Sequence, residues 1–410
     1  MRQFIYFLKR PYHFVKTGLF RGTWGQLKYR FPAKKINVIA ITGTDGKTTT
    51  SSLIFHILNS SKKKTGLIST VVAKIGNKEI DTGLHVTAPD PLQLNQFLRE
   101  MVDEKCEYAV LEMTSHGAYQ YRDWGIKPII AGLTNVTHEH LDYHPDYDRY
   151  IDAKCLLLRK APVAVINEDD RSFYKIRQRL DLKQQEVDSF SMDEKLPPSI
   201  NKAINKRFPE PYNHANARLA VKITQLLEID DKDIASAIIT FPGVEGRMQE
   251  IDVGQKFRVV VDFAHTPNAI DQALSALKLQ LKKQKKKGKL IALFGSAGKR
   301  DVTKRPNMGQ AAVKNADIVI ITADDPRNED IWSIIHQIKS GVKDDHQKIV
   351  SITDRYQAIK FALTQLAQPG DIVALLGKGA EKSLAIGKQE IPWSDQKVAE
   401  QIIKESLLKK

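Results

Sequence analysis

The stretch Ile36-Asn37-Val38-Ile39-Ala40-Ile41-Thr42-Gly43-Thr44-Asp45-Gly46-Lys47-Thr48-Thr49-Thr50 decides how the rest of the chain is read. Its first six residues are a short, apolar, β-branched run, the pattern of a central parallel strand buried on both faces. Ser51-Ser52-Leu53-Ile54-Phe55-His56-Ile57-Leu58 then reads as the first turns of a helix. A glycine turn between a strand and a helix N-terminus aims backbone N–H groups and the positive helix end at an anion. Gly43 and Gly46 let the backbone approach phosphate oxygens, Lys47 brings a point charge, and the Thr48 hydroxyl suits Mg²⁺. The full phosphate-loop pattern wants a glycine where Ile41 stands, so the match is to the shorter form Gly-Thr-x-Gly-Lys-Thr. A nucleoside triphosphate site in an α/β fold is the expectation.

Working outward, 410 residues exceed one ordinary core, so several domains are expected. The apolar share of 42% is that of a globular protein. No apolar run approaches the roughly 18 residues of a spanning helix, and no signal-peptide pattern opens the chain. Two cysteines, Cys106 and Cys155, cannot build a disulfide framework, which fits a reducing cytoplasm. The net charge of +15 could answer nucleic acid, anionic lipid or a polyanionic substrate. No nucleic-acid motif accompanies it, so no nucleic-acid partner is expected. The charge is uneven: residues 1–36 hold nine Lys/Arg and no acid, interleaved with Phe4, Tyr6, Phe7, Tyr12, Phe14, Phe20, Trp24, Tyr29 and Phe31. Such a segment either lies in a membrane interface, at the inner face for a cytoplasmic protein, or packs as a helix on the first domain with its lysines outward. The second basic cluster, Lys282-Lys283-Gln284-Lys285-Lys286-Lys287-Gly288-Lys289, reads as a solvated loop.

From residue 35 onward, β-branched runs alternate with helical stretches, which predicts parallel sheets with crossover helices. Strands are expected at residues 108–113, 129–133 and 163–167, a loop at 195–211 and a helix at 213–227. Phe241-Pro242-Gly243-Val244-Glu245-Gly246-Arg247 reads as a hinge. Beyond it a second alternation begins, with strands at 257–263, 290–294, 317–321 and 371–376, and it reads as a Rossmann-like domain. The expected division is therefore a basic aromatic segment at 1–34, a P-loop-type central domain at 35–244 and an α/β C-terminal domain at 245–410. Ligands bind outside the carboxyl ends of parallel strands. Here those ends carry Asp262 and His265, then residues 295–305, then Asp324 to Arg327, then Gly377 to Glu381.

Glu112 closes a strand beside the loop, where a Mg²⁺ ligand belongs. His138, Glu139, His140, Asp142 and His144 crowd a few residues and suggest zinc, but His138-Glu139-His140 lacks the i, i+4 histidine spacing of a helical zinc motif, and hard ligands near a nucleotide favour Mg²⁺. Lys154, on an apolar helix face, would not stand out by spacing alone.

Taken in order, the motifs resemble those of the Mur ligases, the ATP-dependent amide-forming family of peptidoglycan synthesis. They are the Gly43 to Thr48 loop, Glu112-Met113-Thr114-Ser115-His116-Gly117, Thr134-Asn135 through Asp142-Tyr143-His144, and Ala153-Lys154. They continue with Tyr212-Asn213-His214-Ala215-Asn216, Gly246-Arg247-Met248 and Val261-Asp262-Phe263-Ala264-His265-Thr266-Pro267. Last come Lys304-Arg305-Pro306-Asn307-Met308, Asp324-Asp325-Pro326-Arg327 and Gly377-Lys378-Gly379-Ala380-Glu381. The nearest resemblance is to the MurE type, which adds the third amino acid of the stem peptide.

The resemblance implies roles. Gly43, Thr44, Asp45, Gly46, Lys47, Thr48, Thr49, Asn216, Arg247 and Asp262 would hold ATP. Thr48, Glu112, His140 and Lys154, the last as a carbamate, would serve Mg²⁺, and Lys47, Glu112, His140 and Lys154 would be catalytic. Thr87, Thr114, Gln120 and Arg122 would bind the UDP-linked or lipid-linked muramoyl peptide. Arg305, Asp324, Asp325, Arg327, Gly377 and Glu381 would hold the incoming amino acid, meso-diaminopimelate or lysine. Arg327 suits the distal carboxylate of diaminopimelate. Three departures stand out. The family's N-terminal uridine-diphosphate domain has only residues 1–36 in its place, Ala88 replaces a threonine, and Ala380 replaces a histidine. The first suggests a donor held differently, supplied by a partner, or linked to lipid.

Overall fold

The computed structural model describes residues 2–69, 71–81, 88–137, 143–181, 185–284 and 287–408. Two compact units divide the chain, Met1–Gly243 and Val244–Lys410.

In the first unit the strands are β1 Asn37–Thr42, β2 Thr65–Ile68, β3 Val72–Ile75, β4 Lys78–Asp81, β5 Tyr108–Glu112, β6 Ile130–Leu133, β7 Val163–Asn167 and β8 Glu186–Phe190. They form one eight-stranded sheet in the order β4-β3-β2-β5-β1-β6-β7-β8. The pairings from β2 to β8 are parallel, and the edge strands β3 and β4 attach antiparallel. Five of the six β1 residues are buried, because helices cover both faces of the sheet. One face packs Val38, Ala40, Ala109 and Leu111 against Leu94, Phe97, Leu98 and Met101 of helix Pro91–Asp103. On the other, Gly132 lies against Ile223, Leu219 and Ile41, which seats helix Pro211–Leu226 on the sheet. Each fully buried Leu or Ile of this kind contributes about 1.5–3 kcal/mol.

Two local expectations change. Residues 195–211 contain a helix, Pro198–Arg207, not a continuous loop. Proline at its first position costs no hydrogen bond there, and Ile200, Ala203 and Ile204 supply a buried face. Residues 2–28 are helical throughout, as Arg2–His13, a π-helical stretch Phe14–Gly22 and Thr23–Lys28. The segment does pack on the sheet domain, but aromatic and aliphatic side chains as well as lysines point outward. Cys106 and Cys155 are buried free thiols.

The second unit holds β9 Gln249–Ile251, β10 Arg258–Asp262, β11 Leu290–Phe294, β12 Ile318–Ile321, β13 Ile349–Ser351 and β14 Ile372–Leu376, in the order β13-β12-β11-β14-β10-β9. Only β9 runs antiparallel among them. A hairpin, β15 Ser383–Ile386 and β16 Gln389–Pro392, follows. Period-two alternation sends Val260, Ala292 and Phe294 into one buried layer and Val259, Val261, Ile291 and Leu293 into the other. Among the described residues, no helix is long and apolar enough to cross a membrane.

Candidate active site

At the carboxyl end of β1 the chain turns sharply before helix Lys47–Ser60. Gly43 has φ +150°, and a Cβ there would lie 1.8 Å from Thr134 Oγ1. Gly46 has φ +82°, and a Cβ there would lie 2.0 Å from Asn216 Oδ1. Both positions therefore need glycine for space as well as for backbone angle. The loop is braced by the segment after β6. Asp45 N–H donates to Asn135 Oδ1 at 3.0 Å, Asn135 Nδ2 donates to Asp45 O at 3.1 Å, and Thr134 Oγ1 donates to the same carbonyl at 2.7 Å. Thr44 N–H donates to Asn135 O at 2.9 Å. Lys47 Nζ folds back to Thr44 O at 2.7 Å. No side chain caps the helix N-terminus at Gly46, and Thr48 and Thr49 are buried in its first turn. A glycine-walled turn, an uncapped helix start and a lysine at hand fit a bound triphosphate.

Gly46→Ala should cost about 1–2 kcal/mol of stability from backbone conformation alone and displace Asn216. Chemical denaturation and the KM for ATP would check this. Gly254→Ala is the control, since Gly254 has φ +93° and nothing within 4 Å of a built Cβ. Equal effects from the two substitutions would contradict a packed loop.

Glu112 ends β5, is 1% exposed and pairs in register with Ile41 of β1. Lys154, also 1% exposed, lies on helix Tyr147–Leu158 with Nζ 4.3 Å from the Tyr150 ring centroid. The Tyr150 hydroxyl shares a 2.9 Å hydrogen bond with Thr44 Oγ1, so one ring touches both the lysine and the loop. Thr48 and Glu112 supply the hard oxygen donors that Mg²⁺ prefers. His140, Thr87, His138, Glu139 and Asp142 lie outside the described residues. Among the described residues, no group of three or more His, Cys, Asp and Glu could hold a metal. His144 is 0% exposed, with Nε2 3.1 Å from Ser115 Oγ and Nδ1 3.1 Å from Tyr6 OH.

Of the residues assigned to the muramoyl peptide, Thr114, Gln120 and Arg122 cluster beyond β5. Thr114 Oγ1 accepts from Gly117 N–H at 3.1 Å and caps the short helix Ser115–Tyr119. Arg122 Nε donates to Gln120 Oε1 at 3.1 Å, Arg122 Nη1 donates to Ala88 O, and Gln120 Nε2 donates to Tyr143 OH at 3.2 Å. Burial works against the Arg122 charge and lowers its pKa. Burial also pushes the Tyr119 hydroxyl up to about 12, so it stays a proton donor, and it donates to Tyr6 O at 2.6 Å. Tyr6 stacks on Tyr119 with ring centroids 4.4 Å apart. Asn135 stands in a motif and Tyr6 in the aromatic segment, but the sequence gives neither a role: no local pattern says that residue 135 braces the loop or that residue 6 reaches residue 144.

In the second unit the strand ends carry a dense charge network. Lys378 is 0% exposed, donates to Asp325 Oδ1 at 2.8 Å and pairs with Glu381. Burial opposes its charge, but Asp324, Glu381 and Asp325 outweigh that and hold the ammonium above its ordinary range. Burial raises the Asp324 carboxyl, against the pull of Lys378 and Arg355. Gly377 has φ +106°, and a Cβ there would lie 2.4 Å from Asp324 Oδ2. Asp325 and Arg327 both adopt positive φ, +47° and +52°, around Pro326. Such strain, on the order of 1–3 kcal/mol per residue, persists where the surroundings enforce it. Here the hairpin does so: Arg327 N–H donates to Ala385 O at 3.0 Å and Gly387 N–H to Arg327 O at 2.8 Å. Arg327 Nη1 donates to Gly298 O at 2.9 Å.

Arg305 is 0% exposed, and its guanidinium is spent on both Glu329 oxygens, on Gln337 Oε1 at 2.7 Å and on Ala297 O at 3.0 Å. Both terminal nitrogens are engaged by these groups, and the buried Nε is not. Asp262, at the end of β10, accepts from Met248 N–H at 2.7 Å and Ala264 N–H at 2.8 Å, while the Arg247 guanidinium lies 4.4 Å from the Phe263 ring centroid.

Residues 41–229 match the Mur ligase middle domain and residues 246–379 the Mur ligase, glutamate ligase domain. Over 402 residues the chain is 35% identical to the UDP-N-acetylmuramoyl-L-alanyl-D-glutamate--2,6-diaminopimelate ligase of Geobacillus kaustophilus, covering 92% of this chain and 81% of the relative. The ligase of that name from Nostoc sp. is 36% identical over 396 residues, with coverage of 90% and 78%. A solved structure of a ligase with the same name aligns with TM-score 0.58 at 29% identity, over 94% of this chain and 83% of that one. The Mycobacterium tuberculosis folylpolyglutamate synthase, complexed with ADP and AMPPCP, aligns with TM-score 0.66 at 15% identity over 88% and 92%, and shares the fold. Relatives at 35% and 36% identity run through both units, and the chain belongs to the Mur ligase family.

Proposed function

We propose that this chain is an ATP-dependent acid–amino-acid ligase that adds meso-diaminopimelate to a UDP-linked muramoyl-L-alanyl-D-glutamate peptide. The observation that carries the ligase chemistry is the braced glycine loop, with Glu112 and Lys154 buried beside it. The named substrates of the 35% identical relatives supply the substrate class.

A carboxylate is a poor electrophile, so the donor carboxylate first takes the γ-phosphoryl group of ATP, ADP leaves, and an acyl phosphate results. The amine of the incoming amino acid then attacks the acyl carbon, loses a proton, and phosphate departs. Lys47 offsets charge on the transferring group. Bound Mg²⁺ would do the same as a Lewis acid, and Thr48, Glu112, His140 and Lys154 as a carbamate are the residues assigned to it. Asn216 in the first unit, and Arg247 and Asp262 in the second, are assigned to the nucleotide. Thr87, Thr114, Gln120 and Arg122 are assigned to the donor peptide. Arg305, Asp324, Asp325, Arg327, Gly377 and Glu381 are assigned to the amino acid.

Diaminopimelate is preferred to lysine on a specific ground. The resembled pattern for diaminopimelate is Asp-Asn-Pro-Arg, and Asp325 stands at its asparagine; that carboxylate offers no spare charge to a lysine side chain, because Lys378 holds it at 2.8 Å. Arg327 remains the group suited to a distal carboxylate. A lipid-linked donor is the second reading, favoured by the basic aromatic segment at residues 1–36, which would place a cytoplasmic enzyme against the inner membrane face.

The test incubates the purified chain with ATP, Mg²⁺, UDP-linked muramoyl dipeptide and either amino acid, and weighs the product by mass spectrometry. A mass gain of one diaminopimelate, with phosphate released only when all substrates are present, is expected. A product carrying lysine alone would overturn the acceptor, and no product with either would overturn the donor.

A further inference from the structure

The helical segment at residues 2–28 has two faces with different chemistry. Its inner face is small and fitted. A Cβ at Gly18 or Gly22 would lie 2.8 or 2.6 Å from Trp124, and one at Gly25 would lie 3.1 Å from Pro91 O. Gln26 Nε2 donates to Trp124 O at 2.8 Å, Trp124 Nε1 to Thr23 Oγ1 at 3.2 Å, and Arg10 Nε to Tyr121 OH at 3.1 Å. Through Tyr6 the same face reaches His144 and Ser115 in the muramoyl-peptide cluster.

The outer face is apolar where solvent should favour charge. Nine of the nineteen exposed large hydrophobic residues among the described residues fall between Leu8 and Phe31. Leu8, Tyr12, Val15 and Leu19 step at i, i+4, i+7 and i+11, the spacing of one helix face. Phe20, Trp24 and Leu27 repeat the i, i+4, i+7 steps, one residue out of phase. Val15 and Leu19 of the first run and Phe20 of the second lie inside the π-helical stretch Phe14–Gly22, where the two runs meet. Together the two runs make up the apolar stripe of the outer face. Exposed Lys9, Lys16, Arg21, Lys28 and Arg30 flank that stripe, and no acid occurs within residues 1–36.

From this we infer that the outer face of residues 8–31 is a docking surface for an anionic lipid bilayer, with the apolar stripe in the headgroup–acyl boundary and the cations on the headgroups. Aromatic and aliphatic residues on one face with lysine and arginine beside them suit that boundary, and the uniform positive sign matches an anionic leaflet. A second copy of this chain would instead set two all-positive segments against each other. Because inner and outer faces are separated by one helix diameter, about 10 Å, docking brings the muramoyl-peptide cluster close to the membrane surface. That consequence names a lipid-proximal donor and rests on the ligase reading; the lipid contact itself does not.

The test is co-sedimentation of the full chain with phosphatidylcholine vesicles, with and without phosphatidylglycerol, beside ligation of the UDP-linked donor in the same preparation. Binding is expected only with phosphatidylglycerol, weakening as salt rises. Phe20→Glu combined with Trp24→Glu should reduce vesicle binding about tenfold or more while leaving ligation of the UDP-linked donor unchanged. Wild-type protein left in the supernatant with anionic vesicles, or equal binding by the double variant, would overturn the proposal. So would a wild-type dimer in light scattering that the double variant dissolves, since the stripe would then be covered by a second copy. Vesicle binding without ligation would sink the ligase reading and spare this one.

Discussion

Lys154→Ala should abolish ligation in practice, lowering kcat roughly a thousandfold, the scale on which one preorganised charge partner of a transition state acts. Lys154 is 1% exposed in the middle of helix Tyr147–Leu158, between buried Ala153 and Cys155. A surface lysine would snorkel outward. Instead its Nζ sits 4.3 Å from the ring of Tyr150, whose hydroxyl is bonded to Thr44 of the phosphate loop. Attack of the neutral amine on carbon dioxide forms an N–C bond and releases one proton. The product is a carboxylate-like group, which can serve beside Glu112 as an oxygen donor. The variant should unfold at nearly the wild-type denaturant midpoint, so that the loss is one of chemistry, and millimolar formate or acetate should restore part of the rate. Wild-type kcat in Lys154→Ala would remove the carbamate from the mechanism. Loss of rate without any rescue would reduce Lys154 to a packing residue.

The largest loss of stability is expected from Asp395→Ala in the second unit. Arg355 and Asp395 are both fully buried, with Arg355 Nε donating to Asp395 Oδ1 at 2.8 Å and Nη2 to Oδ2. The same guanidinium donates to Ala323 O and Leu376 O, each at 2.9 Å, and Trp393 Nε1 adds a 2.8 Å bond to Asp395. One arginine therefore ties the ends of β12 and β14 to helix Asp395–Leu408. Removing its partner leaves a buried, uncompensated charge, which costs about 3–5 kcal/mol. Urea unfolding should show a lower midpoint with little change in slope. Asp324 follows Ala323 directly, so the KM for the amino acid should rise as well. Converting both partners to apolar residues, Arg355→Met with Asp395→Leu, should recover much of the stability, since the pair's desolvation penalty goes with it. A double variant as unstable as Asp395→Ala would show that the network, more than the buried charge, holds this corner.

The strands at residues 36–41, 108–113, 129–133, 163–167, 257–263, 290–294, 317–321 and 371–376 were readable because each is a short apolar run bounded by turn residues, and the structure places strands there. The antiparallel edge β3–β4 was not read, because Val72-Ala73-Lys74-Ile75 and Lys78-Glu79-Ile80-Asp81 are short and half polar, as edge strands often are. The helix Pro198–Arg207 was hidden by its own prolines, which sit where a helix tolerates them. In the site, the glycine loop was legible down to the residue. Arg305 reads as a ligand to the amino acid, and its partner Glu329 lies 24 positions along, where no local pattern points to it.

By itself the sequence determined the two α/β alternations, the phosphate loop and the order of the motifs. Those depend on periodicity and on glycine, lysine and hydroxyl spacing within a few residues, which the chain carries locally. Only the tertiary structure decided that Lys378 neutralises Asp325 across 53 residues, that Tyr6 reaches His144 across 138, and that residues 14–22 wind as a π helix. The physical reason is that a buried charge or hydroxyl finds its partner through burial and hydrogen-bond geometry, and neither is written in the residues beside it.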